Sequence, residues 1–283
     1  MPTIDLPQGQ INYHVAGPDQ SDAPPVVFVH GFMVDHGLWT GVAERLAAEG
    51  IRSYAPDWPL GSHTTAMKPD ADLSPRGVAR LINDFLAALD LDDVTLVGND
   101  TGGAICQFVL DTDHTRIGRL VLTNCDAFDK FPPFPFNVLF KLGQRPSRIK
   151  VMAESMRARA MRHSWVAFGG LVAKPLDPAL SKRWITAALD DAGVRRDTSK
   201  LVSGVSPQEL EEVSTRLGQF GKPVRIVWGT ADTFFTIDLG RRLQKAFGTN
   251  AELVEVAGGK TFLSLDEPDR VAEEIHSFSH ARG

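Results

Sequence analysis

The sequence predicts an α/β fold with a mostly parallel central sheet, and three observations carry that prediction. Short β-rich or wholly apolar runs alternate with stretches of helical spacing through the first 125 residues. The same alternation resumes after about residue 218. Runs such as Val26 to Val29 are apolar throughout, which is the pattern of strands buried between helices on both faces of a parallel sheet.

Thr3 to Leu6, Gln10 to Val15, Val26 to Val29 and Ile51 to Ala55 read as the first strands, with helical spacing from Leu38 to Ala48. Ser74 and Pro75 supply an N-cap and a first helical position for a helix over Arg76 to Leu89. Val94 to Gly98 then reads as a strand, Thr101 to about Leu110 as a helix and Arg119 to Thr123 as a strand. From Cys125 to about Leu217 there is no convincing buried strand, only a Phe/Pro-rich entry followed by polar helical stretches. Pro223 to Trp228, a helix near Asp238 to Phe247, Glu252 to Val256 and a helix from Pro268 to about Ser279 complete the pattern. The expected organisation is a core of residues 1–125 and 218–283 with a helical cap of residues 126–217.

Composition narrows the function. The chain has 283 residues, 43% hydrophobic, with 30 Lys plus Arg against 35 Asp plus Glu, a formal charge of −5. That balance lacks the basic excess of a nucleic-acid binder. Two cysteines, Cys106 and Cys125, are too few for a disulfide framework, and the first residues resemble no secretory signal. No run approaches the roughly 20 apolar residues needed to cross a bilayer, so the expectation is a soluble, cytoplasmic protein without nucleic-acid or membrane partners. GxGxxG, P-loop, CxxC and HExxH motifs are all missing, so neither a cofactor nor a metal is implied.

The most informative local feature is VGNDTGG, Val97 to Gly103, where an apolar strand stops and a helix starts within a few residues. A nucleophile elbow has this context, with small residues at minus two and plus two from its strained central residue; here they are Gly98 and Gly102 around Asp100. A carboxylate at a helix N-terminus is favoured by free N–H groups and the dipole, which are expected to hold it ionised. A plain N-cap is the alternative reading of Asp100.

Other motifs arrive in a fixed order. His30-Gly31-Phe32 follows a buried strand, WGTAD (Trp228 to Asp232) follows another, and LDEPDRVAEEI (Leu265 to Ile275) leads into the last helix. With the elbow, they resemble the α/β-hydrolase superfamily over nearly the whole chain. The resemblance implies an α/β-hydrolase fold with an inserted cap, an oxyanion hole from the N–H groups of Phe32 and Thr101, and Asp232 as the catalytic acid. Asp126 is the alternative acid. An aspartate at the elbow is similar to that of haloalkane dehalogenases and epoxide hydrolases, in which the carboxylate attacks a saturated carbon and a histidine then activates water to release the ester.

The chain departs from that pattern at the histidine. Aligning Phe262 and Pro268 with the family puts Thr261 in the histidine slot, and a shift of one puts Lys260 there, a group protonated at its ordinary pKa of roughly 10.4. His36, His63 and His163 are the candidate replacement bases, and Trp165 and Trp184 are candidate donors to a leaving group. The cap tyrosines of epoxide hydrolases are missing, since Tyr13 and Tyr54 precede the elbow. Phe128, Phe131, Phe134, Phe136 and Phe140, broken by Pro132, Pro133 and Pro135, either line an apolar pocket or join cap to core, with no continuous helix before Asn137. Arg145, Arg148, Lys150, Arg157, Arg159 and Arg162 make the cap locally basic.

These observations point to an enzyme acting through Asp100 on a small, largely apolar molecule, most like a haloalkane dehalogenase or epoxide hydrolase. Two alternatives stand beside it: a cofactor-free lyase or cyclase with Asp100 as general base, and a catalytically inactive ligand-binding protein. A homodimer is left open.

Overall fold

The computed structural model describes residues 1–280. Eight strands form one sheet: β1 (Thr3–Leu6), β2 (Gly9–Ala16), β3 (Val26–Val29), β4 (Ser53–Pro56), β5 (Val94–Asp100), β6 (Ile117–Cys125), β7 (Val224–Gly229) and β8 (Ala251–Val256). Their spatial order is β1-β2-β4-β3-β5-β6-β7-β8; β1 and β2 pair antiparallel, as do β2 and β4, and every later pairing is parallel. This is an α/β-hydrolase fold, and the apolar runs explain why. Val26 to Val29 and Val94 to Val97 are buried on both faces, so the sheet needs a helix layer on each side to keep them from water.

The helices follow in chain order: α1 (Thr40–Ala48), α2 (Pro75–Ala88), α3 (Thr101–Thr112), α4 (Phe136–Gly143), α5 (Pro146–Ser155), α6 (Arg159–Arg162), α7 (Pro178–Asp190), α8 (Ala192–Gly204), α9 (Pro207–Ser214), α10 (Ile237–Phe247), α11 (Leu263–Asp266) and α12 (Pro268–His280). Ser74 Oγ accepts from the Gly77 N–H, so α2 starts where its cap and proline place it. Between β6 and β7 the described residues form helices and no named strand. Helix α4 begins at Phe136, one residue before the sequence expectation, as soon as Pro135 is passed. No helix among the described residues is long and apolar enough to cross a membrane.

The HG turn is built by its histidine. His30 is buried, and its Nε2 accepts from the Trp58 N–H at 2.9 Å while Nδ1 lies 2.9 Å from Gly31 O. An accepting Nε2 leaves the proton on Nδ1, and burial lowers the pKa, so the ring is neutral. His30 therefore locks the turn after β3 onto the strand end of β4, next to the elbow.

Candidate functional site

Asp100 ends β5 and Thr101 begins α3, with no residue between them. Asp100 has φ 53° and ψ −133°, a conformation that L side chains rarely adopt. Close approach of its neighbours sustains it. A Cβ on Gly102 would run into the carbonyls of Val29 and His30, and one on Gly98 would lie 2.7 Å from Cys106 Sγ and 2.8 Å from Gly103 Cα. On the facing turn, a Cβ on Gly31 would strike Asp100 Oδ2. The three glycines let strand, turn and helix converge on one carboxylate.

The N–H of Phe32 donates to Asp100 Oδ2 at 3.1 Å. The N–H groups of Phe32 and Thr101 both favour the ionised carboxylate, but burial outweighs them. With the charge of Asp232 adding to burial, the Asp100 pKa is pushed up to about 7. This corrects the expectation that the helix terminus holds Asp100 ionised: with a pKa of about 7 it is only partly so near neutrality, because two amide dipoles do not replace the water lost on burial. Asp100 also makes no side-chain cap bond to α3, so the plain N-cap reading falls.

Asp100 is surrounded by protein yet keeps accessible surface where it lines a cavity of about 400 Å³. The other walls are almost wholly apolar, among them Phe32, Met33, Phe136, Phe140, Met156 and Leu171. The Phe/Pro entry serves two ends. Phe134, Phe136 and Phe140 line the cavity, whereas Phe131 is buried against Phe108 at 6.0 Å and Phe128 lies under the Arg242 guanidinium.

Behind the elbow lies a polar network. Asp232 Oδ2 accepts from Thr261 Oγ1 at 2.7 Å and from Asn124 Nδ2 at 2.9 Å, while Oδ1 accepts the N–H groups of Phe234 and Phe235. Burial raises the Asp232 pKa, opposed first by the Thr261 hydroxyl. Asn99 Nδ2 donates to Thr261 O at 2.6 Å, tying the Thr261 backbone to the elbow strand. On the other side, Thr101 Oγ1 donates to Asp126 Oδ2 at 3.1 Å, and Asp126 Oδ1 is buried without a partner. Burial, then the Asp100 charge, raises the Asp126 pKa well above the usual carboxylate value, so both oppose its ionisation beside the elbow.

The structure thus brings Asp100, Phe32 and Thr101 together, with Asp232 and Thr261 behind them, and it places the other sequence candidates elsewhere. None of the histidines lines the cavity among the described residues. His36 Nδ1 is 2.8 Å from Asp57 Oδ1; burial opposes its protonation, but Asp57 outweighs burial and raises its pKa. His63 Nε2 faces Asp197 at 3.3 Å, and His163 Nε2 bonds Ser181 Oγ at 2.9 Å. Trp184 is buried, with its indole N–H donated to Asp35 at 3.0 Å, which removes it as a donor to a leaving group. Trp165 is exposed, tilted on Phe234 at 5.1 Å, and does not line the cavity. Lys260 is half-buried outside the cavity, and its backbone N–H is taken by Asp266.

Sequence reasoning missed two organising residues. Asn124 clamps Asp232 and also accepts the Gly229 N–H at 2.7 Å. Buried Asp35 takes a bidentate Arg183 at 2.7 Å to each oxygen, besides the Trp184 indole, joining the loop after β3 to α7. Proximity to WGTAD was the only available signal for Asn124, and it needs the sheet order to be read.

Comparison with known proteins agrees with the fold. The model of the alpha/beta hydrolase fold family matches residues 24–268. The chain is 25% identical over 252 residues to a 2-hydroxy-6-oxo-6-phenylhexa-2,4-dienoate hydrolase of Burkholderia cepacia, covering 83% of this chain and 81% of that one. Among solved structures, AncHLD2, described as an ancestral haloalkane dehalogenase, superposes with a TM-score of 0.77 at 19% identity, covering 99% of this chain and 100% of the other. The epoxide hydrolase CorEH superposes with a TM-score of 0.76 at 18% identity, covering 98% of each chain.

Proposed function

The chain belongs to the α/β hydrolase fold family, and on that premise we propose that it is a cofactor-independent enzyme in which Asp100 is a general acid and base. The substrate is a small, largely apolar molecule held in the cavity under the helical segment, which serves as a cap. The reaction is one in which a proton leaves and returns: an elimination, a cyclisation or a carbon–carbon bond cleavage. A carboxyl group with a pKa of about 7 in an apolar cavity carries this reading, because a group that titrates at the working pH both accepts and donates protons efficiently.

The surroundings favour this reading over the dehalogenase-like one. Attack by Asp100 on a saturated carbon would leave an ester, and its hydrolysis needs a base beside the elbow. Thr261 stands where the family's resemblance expects that base, and its hydroxyl is donated to Asp232. A hydroxyl hydrogen-bonded to a carboxylate does not remove a proton from water near neutral pH. No lysine, arginine or histidine lines the cavity among the described residues, so chemistry that builds up a full substrate anion is poorly supported there. Proton abstraction by Asp100 passes the carboxylate's charge to the substrate, so it fits this cavity where the leaving group departs, or a proton returns, in the same step and the charge does not build up.

In this mechanism Oδ2 stays on the Phe32 N–H, which fixes the carboxyl plane while the other oxygen takes the proton. Burial and the Asp100 charge both oppose ionisation of Asp126, so the two carboxyl groups resist carrying negative charge together. Intact-protein mass after exposure to alkyl halides, epoxides and activated esters tests the reading. The wild-type mass stays unchanged if Asp100 acts as an acid–base group. A persistent mass gain that Asp100→Asn abolishes would replace this reading with a nucleophile stalled at its ester.

A further inference from the structure

The outer surface between Phe134 and Val166 differs from the rest of the molecule. Apart from Met1, every exposed large hydrophobic side chain among the described residues lies there: Phe134, Val138, Leu142, Val151, Met161, Trp165 and Val166. Phe134, Val138, Met161 and Val166 also line the Asp100 cavity, so they form its rim. Leu142 sits one turn from Val138 on α4, and Val151 one turn from the cavity-lining Ser155 on α5, so both extend the rim outward.

The same stretch is basic in a chain of net charge −5. Lys141, Arg145, Arg148, Lys150, Arg157 and Arg159 are exposed, and Glu154 is the only acid between Phe134 and Val166. Glu154 pairs with Arg157 at 2.6 Å, and the other five cations have no carboxylate partner among the described residues. Exposed apolar groups interleaved with unpaired cations match the two layers of an anionic bilayer surface, acyl chains below and charged headgroups above. A second copy of the chain fits less well, because a face-to-face contact would press the two sets of cations together.

We propose that this rim docks on an anionic phospholipid surface, with Val151, Trp165 and their neighbours at the headgroup boundary and the cations over the headgroups. The cavity mouth then opens toward the lipid, so an apolar substrate dissolved in the bilayer reaches Asp100 without crossing water. The expectation of no membrane partner rested on the lack of a spanning segment, and surface docking needs none. The inference rests on the rim and not on the chemistry of Asp100, so Asp100→Asn binds lipid as the wild type does.

Trp165 is a built-in reporter, because Trp39, Trp58, Trp184 and Trp228 are fully buried. Phosphatidylcholine vesicles with and without phosphatidylserine, carrying brominated acyl chains, are added and tryptophan emission is followed. Emission is quenched and blue-shifted only with phosphatidylserine, and Trp165→Phe loses the signal while still sedimenting with the vesicles. Each cation near such a surface is worth about fivefold in affinity, so Arg145→Glu, Arg148→Glu and Lys150→Glu together lower it at least about a hundredfold. Val151→Asp weakens binding as well, an independent variant at one exposed position. Equal binding to neutral vesicles, no binding to either kind, or a shift that follows protein concentration instead of lipid overturns the proposal.

Discussion

The hydroxyl of Thr261 donates to Asp232 Oδ2 at 2.7 Å, across 29 positions of sequence, and this bond sits behind the elbow where the superfamily resemblance expects a histidine–acid pair. The acid keeps its seat, held by Asn124 and by two backbone N–H groups, but the group facing it is neither a base nor an ionisable partner. Through these bonds Asp232 ties the loop that carries Thr261 to Asn124 at the end of β6.

Thr261→Val therefore removes one donor from a buried carboxylate and leaves the rest of the packing in place. The expected loss is about 1–3 kcal/mol of stability, measured by denaturant unfolding, without loss of the fold. An unchanged stability would mean that Asp232 does not depend on this bond.

On the proposed acid–base reading, Asp100 sets the pH dependence of activity. As a general base it must be ionised in the free enzyme, so kcat/KM rises with pH and levels off above the Asp100 pKa of about 7. Replacement by asparagine keeps the shape and removes the proton acceptor, with an expected loss of about 10²- to 10⁴-fold in rate. Product analysis by mass spectrometry on any substrate found by screening gives both readings.

The same group makes stability depend on pH. Its pKa is higher in the folded state than in the unfolded chain, so the protonated folded form is favoured at low pH and this contribution is lost as pH rises from about 4 to about 7. Asp100→Asn has no such loss. The variant is expected to gain up to about 4 kcal/mol relative to wild type between those limits, with the difference level above pH 8. Parallel thermal unfolding across that range checks the sign.

Gly31→Ala tests the approach of the two turns. Its Cβ would overlap Asp100 Oδ2, so either the HG turn or the carboxylate must shift. We expect a stability cost of about 1–3 kcal/mol and a fall in kcat larger than any rise in KM. Retained kcat would mean that Phe32 N–H does not fix the reacting carboxyl.

How much was legible in the sequence depended on how local the cause was. The apolar runs of β3 and β5 and the glycines at 98 and 102 declare themselves within a few residues, so the sheet and the elbow followed directly. The raised pKa of Asp100 did not, because the helix terminus is visible in sequence while the water removed by the facing cavity wall is not. His36, His63 and Trp184 looked available because they follow or face the core, yet their partners Asp57, Asp197 and Asp35 lie 21, 134 and 149 positions away. Asn124 is bound to Asp232 across 108 positions by the adjacency of β6 and β7, which only the strand order reveals.

The most direct test of Asp100 as the proton-transfer group is the rate at which deuterium from D₂O enters small, largely apolar carbon acids, compared between wild type and Asp100→Asn. The account predicts exchange in the wild type that rises with pD through the Asp100 ionisation and is abolished in the variant. Exchange that persists undiminished in Asp100→Asn, or no exchange by the wild type across the range, would contradict it.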